Sequence, residues 1–113
     1  KAREWYEKAA KQEHAKAQFN LGDMHYRGKG AKQDYYKARE WWEKAAKQEH
    51  ASAQYNLGAM YENGDGVDQS DSMAMRWFAK AAAQNHEGAQ AQIDKILARR
   101  RASVTAAKLT SKK

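Results

Sequence analysis

Apolar residues recur along this chain at intervals of three and four, the spacing of helices rather than of strands. Advancing about 100° per residue from Ala38 places Tyr35, Trp41, Trp42, Ala45 and Ala46 in one arc about 140° wide, with Glu40, Glu43, Lys44 and Lys47 opposite. An arc that broad predicts a helix with neighbours on two sides. Asp34 and Ser70 stand in equivalent positions just ahead of such helices, where a short oxygen-bearing side chain accepts free backbone N–H groups, so both are predicted N-caps. A second helix is predicted from about Ala51 to Glu62, with Ala53, Leu57, Met60 and Tyr61 on one side and Gly58 among them. A glycine inside a helix costs about 1 kcal/mol against alanine. Gly22 and Gly58 are therefore expected to admit an aromatic ring close to the backbone. Gly28 with Gly30, and Gly64 with Gly66, mark loops.

These elements repeat. Trp5, Trp41 and Trp77 stand 36 residues apart, and residues 1–36 and 37–72 agree at 23 of 36 positions. A third copy starts at Met73, keeps Arg76, Trp77, Lys80, Ala81, Ala82, Gln84, His86, Ala89 and Gln90, and then diverges. The reading is a single all-α domain over residues 1–98, with repeats of about 1–36, 37–72 and 73–98, each running helix, turn, helix, glycine loop. Residues 99–113 follow as a basic helical extension or tail.

Composition agrees with packed helices. The 113 residues include no cysteine and no proline, which removes disulfides, thiolate metal sites and cysteine nucleophiles. With 31% charged residues, no stretch approaches the roughly 18 apolar residues of a membrane-crossing helix, so a soluble chain is expected. The net charge of +7 is concentrated at one end: six of the 21 basic residues and none of the 14 acidic ones fall in 99–113. The repeats carry no basic face of the kind that neutralises phosphates. The tail reads as a solvated terminus, or else as an attachment to an anionic membrane surface or nucleic acid. No targeting segment is visible, and Lys1 reads as the start of a fragment or processed chain.

Candidate chemistry is sparse. His14, His50 and His86 share one repeat position, so they lie a repeat apart and read as turn residues rather than ligands of one ion. His86-Glu87 has Gln90 where a zincin helix needs its second histidine, and Asp65, Asp68 and Asp71 lack the alternation of an EF-hand. No P-loop or nucleophile elbow appears, and most acids sit beside lysines on the outward helix face. No enzymatic activity, cofactor or metal is expected. The ladder Tyr6, Trp42 and Phe78 has two readings: the core between repeats, or a partner-facing stripe together with Arg3, Glu7, Arg39 and Glu43, since aromatic residues and arginine dominate binding hot spots. Those seven are the candidate protein-binding residues.

The order Lys-Ala-x-x-Trp-aromatic-x-Lys-Ala-Ala, then Ala-x-Ala-Gln-aromatic-Asn-Leu-Gly-x-Met, then Gly-x-Gly-Val, resembles the Sel-one-like repeat (SLR) family over residues 1–97. The resemblance implies a right-handed α-solenoid, a tetratricopeptide-like superhelix whose concave face binds a peptide or protein segment in scaffolds and adaptors. It implies a bacterial protein of cytoplasm or periplasm. A monomer is expected, and the charge distribution leaves nucleic acid or anionic membrane as partners only through the tail. Three copies are few for stacking to bury a continuous face, so further repeats upstream are expected. Three departures stand out. Glu13 and Glu49 replace the family's glycine between helices, and Asn85, which tolerates the left-handed conformation better, follows in the third copy. Ile93-Asp94 replaces Leu-Gly and is expected to end the array. The absence of cysteine separates the chain from the disulfide-stapled branch, so penicillin binding or hydrolysis is not implied.

Overall fold

Both predicted caps close their helices. The Asp34 carboxylate accepts from the Lys37 N–H at 3.1 Å and the Ser70 hydroxyl from the Met73 N–H at 3.1 Å. The computed structural model describes the backbone of residues 2–111 and the side chains of residues 13–109. The helices in order are α1 (Ala2–Arg27), α2 (Tyr35–Lys47), α3 (Ala51–Asn63), α4 (Asp71–Ala83) and α5 (Ala89–Ser111), with no strand among the described residues. Packing is closest between α1 and α2 and between α3 and α4, the pairs joined by glycine loops; α2 then meets α3, and α4 meets α5. The result is an elongated helical-repeat solenoid of 67 × 37 × 17 Å. Its radius of gyration, 17.3 Å, exceeds the roughly 13 Å of a compact chain this long.

Two core clusters follow the repeat. Trp42, Ala45, Ala46, Ala53, Leu57 and Met60 form the first with Ala15; Ala74, Phe78 and Ile96 form the second. Each cluster is built on an aromatic plug. A Cβ on Gly22 would collide with the Trp42 indole, and one on Gly58 would meet the Phe78 ring at 2.7 Å. The two glycines are the notches that let α2 and α4 approach their partner helices, as the sequence predicts. Trp42 also donates its indole N–H to the Phe19 carbonyl at 3.0 Å.

Polar pairs repeat with the same period. Gln48 donates to Gln18 at 2.6 Å and Gln84 to Gln54 at 2.8 Å, while the buried Gln54 donates to the Ala46 carbonyl at 3.1 Å. Trp41 and Trp77 have like surroundings, each half-buried under a lysine ammonium, Lys44 at 4.6 Å and Lys80 at 4.9 Å; the Trp5 side chain lies outside the described residues.

The first copy departs from helix-turn-helix. Residues 7–15 and 43–51 are the same nonapeptide, yet the second breaks between α2 and α3 with Glu49 at φ 63° while the first runs unbroken through Glu13 inside α1. Asn85 makes the equivalent break in the third copy at φ 61°. Left-handed glutamate costs about 1–2 kcal/mol. For α2 that cost is offset by packing on both α1 and α3. At the far end α5 continues as a helix through Ser111, so the basic segment extends the last helix as far as the described residues go.

Candidate functional site

A cavity of about 110 Å³ opens between α1 and α3, lined by Asp23, Tyr26, Arg27, Asn56 and Ala59 with Trp42 behind them. The helical period delivers its walls: Asp23, Tyr26 and Arg27 are spaced three and four apart on α1, and Asn56 and Ala59 three apart on α3, so each set shares one face. Trp42 contributes only a ring edge, since 2% of its surface is exposed.

The polar groups around the opening differ in how they are satisfied. Arg27 Nε donates to Asp23 at 2.8 Å, and this contact raises the guanidinium pKa further above its ordinary value. The Tyr26 hydroxyl donates to the Asp65 carboxylate at 3.0 Å. Burial first, then that bond, pushes the phenol up to about 12, so it stays a neutral donor. Tyr26 also packs on Tyr35 and Trp42, with ring centroids 5.0 and 5.3 Å away. The loop that brings Asp65 is set by Gly66 at φ 69°, where a Cβ would meet Tyr35 at 2.8 Å. Asn56 is half-buried, and no hydrogen bond engages its carboxamide among the described residues.

The candidate residues divide. Trp42 and Phe78 are corrected from partner-facing positions to core: they are 2% and 0% exposed because each ring fills a glycine notch on the partner helix. Arg39 and Glu43 remain accessible on α2, paired at 3.8 Å with about a third of each side chain exposed, but neither lines the cavity. Arg39 Nε is buried there without a hydrogen-bond partner. The side chains of Arg3, Tyr6 and Glu7 lie outside the described residues. The cavity walls were not singled out in advance, although one signal pointed to them. The first two copies differ at Asp23/Ala59, Tyr26/Glu62 and Arg27/Asn63, a cluster of differences beside the opening amid otherwise repeated scaffold positions.

The histidines act at turns. His50 accepts from the Ala53 N–H through Nδ1 at 3.2 Å, capping α3, and stacks on Phe19 with centroids 4.8 Å apart; its burial lowers its pKa. His86 stacks on Tyr55 at 4.7 Å in the equivalent place. Among the described residues no cluster of three acidic or histidine side chains is placed to hold a metal ion, and no helix is long and apolar enough to cross a membrane.

Repeated helical hairpins with a small polar-walled groove define an α-helical repeat module. Residues 1–14, 15–50 and 51–86 match the Sel1 repeat model, and the chain belongs to the Sel1 repeat family. The matched units keep the 36-residue period with a different origin, pairing the second half of α1 with α2 and α3 with α4. Sel1 repeat proteins are generally non-catalytic scaffolds for protein interaction. A Sel1 repeat protein from Oxalobacter formigenes superimposes with a TM-score of 0.70 at 38% identity, over 73% of this chain and 34% of that one. The protective antigen c5321 of uropathogenic Escherichia coli, which displays an SLR fold, superimposes with a TM-score of 0.67 at 38% identity, over 79% of this chain and 19% of that one. The chain thus covers about a third of the first of these solved relatives and about a fifth of the second. No curated protein shows a significant match to it.

Proposed function

We propose that this chain is a scaffold or adaptor module without catalytic activity that takes an extended peptide or protein segment into the cavity between α1 and α3. The reading rests on Asn56, whose half-buried carboxamide faces the cavity with both donor and acceptor unengaged among the described residues. One carboxamide matches the N–H and C=O of a peptide main chain at once. The adjacent Asp23–Arg27 pair supplies charge of both signs for register, and the neighbouring aromatic edges receive an apolar side chain. A peptide selected from a displayed random library against the whole chain tests this. Asn56→Ala and Arg27→Ala are each expected to weaken it about tenfold, the equivalent of about 1.4 kcal/mol, with the far-UV helical signal unchanged. Affinity unchanged from that of the parent chain in both variants counts against the cavity.

A second reading concerns α5, whose exposed Arg100, Arg101 and Lys108 continue past the packed repeats. Attachment to an anionic membrane surface or nucleic acid through this segment is expected to fall steeply with salt. Binding that survives 0.5 M salt and removal of residues 99–113 dismisses it.

A further inference from the structure

The straight α1 leaves uncovered a face that the other repeats bury. Ala53 and Leu57 are fully buried and Gln54 is 1% exposed, because α2 lies across them and Gln54 bonds the Ala46 carbonyl. Their equivalents on α1 are Ala17, Leu21 and Gln18. Ala17 is exposed, and Leu21 and Gln18 are only half-buried. In the third copy Ala89 is again fully buried, while Ile93 is half-buried against the core and Gln90 is exposed. What sets the first copy apart is Ala17, exposed where Ala53 and Ala89 are covered, in the copy whose helix does not bend at Glu13.

The chain carries the segment that fits this face. Residues 7–15 are identical to residues 43–51, and the part of that nonapeptide within α2 supplies the Ala45 and Ala46 that cover Ala53 and Leu57. Within one molecule the unbroken helix holds residues 2–12 in line with residues 15–27, so they cannot lie against them. At about 1.5 Å per residue α1 is about 39 Å long, and Glu13 sits near its middle. Two such helices set antiparallel about a two-fold axis near Glu13 place residues 2–12 of each across Ala17 and Leu21 of the other.

We propose that the chain pairs with a second copy of itself by exchanging residues 2–12, in place of the monomer expected from the sequence. The contact is isologous and closed. Its switch is the backbone at Glu13: straight, it reaches the second copy; bent left-handed as at Glu49, it covers its own chain.

Sedimentation and light scattering of the 113-residue chain over a range of concentrations are expected to give twice the chain mass. Glu13→Gly removes the steric cost of the left-handed bend and is expected to shift the chain to monomer with helicity nearly unchanged. Because the chain has no cysteine, mixing Ala10→Cys chains with Gln18→Cys chains under oxidising conditions is expected to produce the mixed disulfide dimer. A monomer at every concentration overturns the proposal, as does a dimer that persists undiminished in Glu13→Gly or fails to form the mixed disulfide.

Discussion

The Trp42 indole occupies the space that any side chain at position 22 would need. The same arrangement recurs one repeat later, where the Phe78 ring fills the place of a Cβ on Gly58. A residue that weakens its own helix is thus what brings the next helix into close contact. The distance between each pair of partner helices is set by an aromatic ring on one and the lack of a side chain on the other.

Gly58→Ala should therefore destabilise the fold despite the better helix propensity of alanine. Overpacking costs about 1–3 kcal/mol, read as a lower urea midpoint by circular dichroism. Phe78→Leu in the Gly58→Ala background is expected to recover part of the loss. Additive losses in the double variant would refute the notch.

Truncating the rings themselves should do more. Trp42→Ala and Phe78→Ala are each expected to remove about 3–5 kcal/mol, enough to melt a small repeat domain. Arg39→Ala, which breaks only a half-exposed ion pair, should change stability by less than about 1 kcal/mol. Thermal melts of the three variants side by side separate core from surface.

Gln54 is buried between two repeats, bonded to the Ala46 carbonyl and to Gln84. Gln54→Leu takes one bond from Ala46 O, which keeps the Glu49 N–H, and the acceptor from the Gln84 carboxamide, and should cost about 0.5–1.5 kcal/mol. A double-mutant cycle with Gln84→Ala, by denaturant unfolding, is expected to show coupling of about 0.5 kcal/mol or more.

His50 predicts a dependence on pH. Its Nδ1 accepts the Ala53 N–H only when unprotonated, and burial lowers its pKa in the folded chain. Above the ordinary value of about 6.5 neither state binds the proton and the cap contributes fully. As pH falls below that value the unfolded chain takes up the proton first, so stability drops until the lowered folded pKa is passed. His50→Asn keeps an acceptor for the cap and does not titrate. Its denaturation midpoint should fall less than that of the parent chain between pH 7.5 and pH 5.

Much of this was legible in the sequence because it is local. Asp34 and Ser70 cap helices through atoms three residues away, and the glycine notches were visible as helix interiors with an unfavourable residue. The fate of Glu13 was not legible. Residues 7–15 and 43–51 are identical, so nothing within the nonapeptide distinguishes a bend from a straight helix. The seats of Trp42 and Phe78 depended likewise on contacts between helices, and the period alone left core and partner-facing stripe open. The cavity walls come from two helices 30 or so residues apart, which periodicity places on faces but does not bring together.

Asp94 stands where the earlier copies have Gly22 and Gly58, exposed on α5 and accepting from Gln90 at 3.1 Å. A carboxylate there occupies the notch that admits Trp42 and Phe78 in the earlier copies, so an aromatic ring has no such seat on α5. The close approach between partner helices is thereby confined to the two pairs that carry a glycine, α1 with α2 and α3 with α4.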